Sequence, residues 1–145
     1  MRITEIDLQC DDIMWFAIDN NGYIISFTSG GEGNVPEFVC RSKEETETLE
    51  SFFMNLPTGL SNAVLLIDKD GSALSTDAEA LSQKGIFCFD VCSDPDFEYG
   101  YYKISFPEKK LHLSDLPADI QSIISDHIID IDVSAADRIM VENAY

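Results

Sequence analysis

Apolar residues recur along this chain at several spacings, and each spacing predicts its own element. Ile13–Ile18, IMWFAI, is an unbroken run of six. A run that short, with no polar position to turn toward water, fits a strand covered on both faces. Asp19-Asn20-Asn21-Gly22 follows it. Asn21-Gly22 is a strong hairpin signal, because a two-residue type I′ turn needs positive φ at both central positions. Tyr23–Thr28 returns with Tyr23, Ile25 and Phe27 on one face and Ile24, Ser26 and Thr28 on the other. The pattern predicts a core hairpin with Trp15 buried in it. Ser29-Gly30-Gly31-Glu32-Gly33 then leads out toward Pro36.

Helical spacing takes over after Pro36. Ser42 with Glu45 three residues later matches a capping box, and Glu44, Glu45 and Glu47 suit the positive end of a helix. Leu49, Phe52, Phe53 and Leu56 follow i, i+3, i+4, i+7, which puts one stripe on the core until Pro57 and Gly59 end the helix. Ala63–Ile67 is another apolar run, turned by Asp68-Lys69-Asp70-Gly71. Thr76 reads as the cap of a short helix over 77–84, stopped by Gly85.

Ile86–Val91 and Gly100–Phe106 read as a second hairpin. Ser114 and Pro117 open a helix whose Leu116, Ile120, Ile123, Ile124 and Ile128 share a face. Two stretches carry weaker signals. Ile3–Leu8 alternates imperfectly, like a short strand. Ile129–Val133 alternates also, whereas Ser134–Arg138 fits a short helix. The elements predict one α+β domain over residues 1–145. Its sheet is mainly antiparallel and built on the two hairpins, with helices at about 42–56, 76–84 and 116–127.

Charge changes this picture most. Nine basic residues face 27 acidic ones, for a net charge of −18. Such a field repels nucleic acid and anionic membranes. It either serves solubility alone or speeds encounter with a basic partner. No apolar run is long enough to span a bilayer, and MRITEIDLQCDD lacks the apolar core of a secretory signal, so a cytoplasmic location is expected. The cysteines at 10, 40, 88 and 92 form no CxxC, and Cys88 and Cys92 in one strand would lie about 13 Å apart. Four reduced thiols are expected, with no metal set completed by His112 and His127.

Catalytic and cofactor motifs are missing from the sequence. There is no GxSxG, no Rossmann glycine pattern and no persuasive Cys–His arrangement. The glycine loop at 29–33 has no lysine and carries Glu32, so it reads as a structural turn and not a phosphate loop. The turn at 68–71 fails as a calcium loop, because its register places Leu66 first and Asp77 last. With 27 carboxylates present, close acid pairs carry no information. No catalytic residue, metal or cofactor is expected, and the reading is of a binding protein and not an enzyme. The 92–99 loop, CSDPDFEY, combines acids with aromatics, a composition in which rings anchor and carboxylates steer; a solvated turn punctuated by Pro95 is the other reading.

WFAIDNNGYIISFTSGGEGNVP resembles the opening hairpin of small acidic immunity-type proteins of bacterial polymorphic toxin systems. GIFCFDV and GYYKISFPEKKLHLSDLP resemble the second half of the same proteins, so the likeness spans most of residues 13–128. Its motifs are turns, core aromatics and caps, with no catalytic residue to carry over. The resemblance implies an inhibitor that binds and neutralises a cognate basic toxin, with a nuclease domain as one candidate. The residues expected to meet that partner are Asp94, Asp96, Glu98, Tyr99 and Tyr101, with Glu44 and Glu47 at the rim. An interaction or scaffold protein, and a small enzyme with an unrecognised site, are the alternatives.

Overall fold

The computed structural model describes residues 1–66 and 73–145, and for 73–76 the main chain alone. One six-stranded sheet carries the fold. Its strands are β1 (Met14–Ile18), β2 (Ile24–Thr28), β3 (Ala63–Leu65), β4 (Phe87–Val91), β5 (Tyr101–Pro107) and β6 (Arg138–Ile139), in the order β1-β2-β4-β5-β3 with β6 beside β5. Every neighbouring pair is antiparallel except β2 and β4, which run parallel with Phe27 opposite Phe89. The helices are α1 (Glu5–Cys10), α2 (Glu37–Cys40), α3 (Lys43–Asn55), α4 (Ala73–Ser82) and α5 (Ala118–Ile124). The fold is α+β, as the pattern of the sequence predicts. None of the described helices is long and apolar enough to cross a membrane.

Both faces of the sheet are covered, which accounts for the unbroken run at 13–18. Trp15, Ala17, Ile25, Phe27, Phe87, Phe89, Tyr101 and Ile139 pack on one face, under Leu8 of α1, Val39 of α2 and Val133 of the C-terminal stretch. Phe16, Ile18, Ile24, Cys88 and Ile104 pack on the other, under Leu49 and Phe53 of α3, Leu81 of α4 and Ile124 of α5. Alternation along a strand requires this division. Between β4 and β5 the register steps from Phe89–Lys103 to Cys88–Ser105, leaving Ile104 as the extra residue. The step turns Ser105 toward α4, where its hydroxyl meets that of Ser82 at 2.7 Å and donates to the Ala78 carbonyl at 3.1 Å.

The hairpin forms, but not through a type I′ turn. Ile18 pairs with Ile24, which leaves residues 19–23 in the loop, and only Gly22 there has positive φ, +83°. The buried Asp19 carboxylate sets this wider loop. It accepts the main-chain N–H groups of Asn21 at 2.9 Å, Tyr23 at 3.0 Å and Val133 at 2.9 Å. A two-residue turn cannot offer those donors to one side chain.

Several local expectations are corrected. Residues 5–10 form α1 and not a strand, because Thr4 and Asp7 cap each other's main-chain N–H groups. Ser42 caps α3 as expected, accepting from Glu45 N–H at 3.1 Å, but α3 shows this half of the expected capping box alone. Lys84 reaches the far end of α3 and donates to the Phe53 and Met54 carbonyls at 3.0 and 2.8 Å. Helix α4 begins at Ala73, so Thr76 lies inside it and does not cap it. The turn at 68–71 lies outside the described residues. Helix α5 spans only 118–124, and Ile128 is 53% exposed instead of buried. Beyond α5 the chain straightens onto the edge of β1: Ile18 N–H donates to the His127 carbonyl and Ile129 N–H to that of Ile18, both at 2.9 Å. That pairing seats Ile129 in the core and turns Ile128 out. Residues 132–136 form turns, and 138–139 provide β6, so the tail is neither the strand nor the helix expected. All four cysteines are free thiols, with Cys10 exposed.

Candidate partner-binding surface

The loop from Cys92 to Gly100 joins β4 to β5 across the end of the sheet. Asp94 starts a single 3-10 turn at Pro95–Phe97 by accepting Asp96 N–H at 3.0 Å. The same carboxylate takes both terminal nitrogens of Arg138 at 3.1 Å. Those two partners, the Asp96 amide first, hold Asp94 below the usual carboxylate range. Arg138 also lies over the Phe97 ring, 5.4 Å from its centroid. Asp96 and Glu98 are exposed. Tyr99 is 53% exposed and is the one non-glycine with positive φ among the described residues, +67°. Its carbonyl accepts Asn34 N–H at 2.9 Å, a bond that helps hold the unfavourable conformation.

Tyr101 does not belong with them. It is completely buried, with its hydroxyl donating to the Asn34 carbonyl at 2.7 Å and accepting Trp15 Nε1–H at 3.2 Å. Strand alternation from Tyr99, interrupted by the left-handed turn, carries its ring inward. Glu44 and Glu47 stand on α3, which packs on the face of the sheet opposite Tyr101. Glu44 is engaged by the N-terminal ammonium at 2.6 Å, which draws its carboxyl below the usual range. The expected site therefore divides. Asp96, Glu98 and Tyr99 stay together on the loop, Asp94 braces it, and Glu47 joins a different set.

That set is an acidic groove. Two adjoining cavities of about 290 and 140 Å³ share Asp12, Met14 and Glu50. Asp77 enters one and Glu47 the other, over an apolar bed that includes Leu81, Cys88 and Ile104. Ser26 and Thr28, at the end of the parallel β2–β4 pair, supply hydroxyls. Among the described residues, Lys43 is the only cation that lines either cavity. Burial, then the charges of Glu47 and Asp12, push the Glu50 carboxyl above its ordinary range. Asp90 is pushed up in the same way by burial, although Thr28 donates its hydroxyl to it at 2.6 Å. Asp12 is oriented by Gly30 N–H at 2.8 Å, so the amide a phosphate would need is already taken by a carboxylate. This agrees with the structural reading of the 29–33 loop.

Such a groove can hold a cationic side chain with an aliphatic stem. Its carboxylates come from the segment before β1, from α3 and from α4, over a bed of strand residues, so no short window of sequence contains them. Among the described residues, no group of three or more His, Cys, Asp or Glu side chains is arranged to hold a metal ion. No protein-family model, curated protein or solved structure matches this chain.

Proposed function

We propose that this chain is a non-enzymatic binding protein, an immunity-type inhibitor that neutralises a basic toxin domain, with nuclease domains the foremost candidates. It would act in the cytoplasm, where a nuclease meets its substrates. The observation that carries this reading is the uncompensated negative surface. Arg2, Arg41 and Arg138 are consumed in ion pairs with Glu37, Asp126 and Asp94. Lys84 and Lys103 are buried on main-chain carbonyls. With 27 acids against nine bases, the outward field is strongly negative, and the Asp12–Glu50 groove concentrates it. A toxin that binds phosphates presents the complementary charge. Complementarity of this kind raises association rates, while buried anchors set the lifetime.

The test starts at the adjacent gene: an open reading frame there for a toxin-like protein with a basic C-terminal domain is expected, and that domain is then co-expressed with this chain and assayed for binding. The expected result is rescue of growth and a complex whose association rate falls steeply with salt. Asp96→Lys with Glu98→Lys should slow association and flatten that dependence while leaving the fold intact. If no complex forms at low salt, the inhibitor reading is wrong and a scaffold role replaces it. A melting temperature raised several degrees by micromolar metal or nucleotide would instead point to an enzyme.

A further inference from the structure

A further concavity, apart from the acidic groove, adjoins the 95–100 loop. It is a trough of about 770 Å³ between residues 128–130 and the C-terminal stretch 140–144, with the start of α2 also lining it. Its apolar contributors include Phe38, Ile128, Met140 and Val141. Ile128 and Met140 are large side chains left 53% and 49% exposed. Its polar rim carries the carboxylates of Asp130 and Glu142 together with Glu37, which is paired with Arg2, and among the described residues no lysine or arginine lines it. Arg2, which grips Glu37 through two nitrogens, is held in that pair and under the Tyr145 ring.

The trough is continuous with the 95–100 loop. Asn143 lines it and also lines the neighbouring cavity that holds Tyr99. Gly100 lies against the Met140 methyl, which a Cβ at that position would meet at 3.1 Å. Ile128 and Met140 thus expose apolar side chains in one trough, and Tyr99 stands in the cavity next to it across Asn143. Exposed apolar surface of this kind, rimmed by a single sign of charge, marks an interaction site.

We infer that this trough is the docking groove for a cationic, apolar-centred segment of a partner protein. The segment's apolar side chains sit against Phe38, Ile128 and Met140, and flanking lysines or arginines face Asp130 and Glu142. The inference rests on the proposed reading of a basic partner and says where on the surface that partner anchors. Apolar contact supplies the lifetime of the complex, and the rim selects the sign of charge.

The experiment uses the full chain and a fluorescein-labelled peptide, Lys-Ile-Lys-Leu-Lys-Val-Lys, read by anisotropy. Two control peptides replace every lysine by glutamate or every apolar residue by serine. Ile128→Asp and Met140→Asp are the diagnostic variants, because each adds negative charge while removing an apolar wall. Docking in the trough predicts that both variants and the serine peptide bind at least about tenfold more weakly. Attraction by net charge alone predicts equal or tighter binding to the aspartate variants. That result would overturn the groove and leave the basic-partner reading standing. Equal binding of the glutamate peptide would overturn the charge selection, and no binding of the lysine peptide would overturn the groove outright. Self-association of the wild type that Ile128→Asp abolishes would make the occupant a second copy and also overturn it. Should an aspartate variant misfold, Ile128→Ser with Met140→Ser carries the same expectation. The co-expression test reads the inhibitor function independently, so the two can fail separately.

Discussion

Trp15 and Tyr101, from opposite halves of the chain, meet edge to face with ring centroids 5.7 Å apart, and the indole N–H donates to the tyrosine hydroxyl at 3.2 Å. That hydroxyl donates onward to the Asn34 carbonyl at 2.7 Å. It therefore serves a donor from β1 and an acceptor from the loop after β2 at once. Tyr101→Phe keeps the ring and removes the hydroxyl, leaving both groups unpaired in a buried setting. The expected cost is about 1–3 kcal/mol in urea-induced unfolding. Wild-type stability in that variant would mean the hydroxyl is not holding the loop.

Lys84 caps a helix it does not belong to. Its ammonium donates to the Phe53 and Met54 carbonyls in the last turn of α3. Lys84→Met keeps most of the buried stem and removes the charge-assisted bonds. A loss of about 1.5–3 kcal/mol is expected, together with faster amide exchange in the final turn of α3. Unchanged exchange there would assign the loss, if any, to packing alone.

His127 is buried against Phe38, with Nδ1 at 3.2 Å from the Phe16 carbonyl and Nε2 without a hydrogen-bond partner. Burial outweighs the nearby Asp126 and Glu45, with Arg41 opposing protonation as well, and the ring's pKa is lowered. The unfolded chain then binds the proton more readily than the folded one. Stability is present above the unfolded value of about 6.5 and is lost as pH falls toward the folded value. His127→Gln should flatten the decline in melting temperature between about pH 6.5 and 5. An identical slope in both proteins would remove His127 as its source.

The thiols should separate cleanly. Cys10 is exposed, whereas Cys40, Cys88 and Cys92 are buried. Burial pushes Cys40 up to about 11 and raises Cys88 too. Titration with a disulfide reagent should modify Cys10 rapidly in the native protein and the other three only after unfolding. Fast modification of more than one thiol would contradict the packing of the sheet.

What the sequence determined by itself is what depends on neighbours along the chain. The Ile13–Ile18 run, the return at 23–28, the Ser42 cap and the Leu49–Phe53 stripe are local patterns of hydrophobicity and hydrogen bonding, and each formed its element. The Thr4–Asp7 capping box was equally local and equally legible, yet alternation over 3–8 pointed the other way. The acidic balance too was plain. Only the tertiary structure decided where those residues stand. Asp19 could replace the two-residue turn with a wider loop because Val133 is brought to it across the fold. Tyr101 became core instead of surface because Trp15 donates to its hydroxyl and the Asn34 carbonyl accepts from it. Ile128 was turned outward because the edge of β1 takes its two neighbours. Asp12, Glu50 and Asp77 became one groove because α3 and α4 pack on the same face of the sheet. Local signals reach a few residues, whereas burial and the convergence of charges are set by which distant segments the sheet brings into contact.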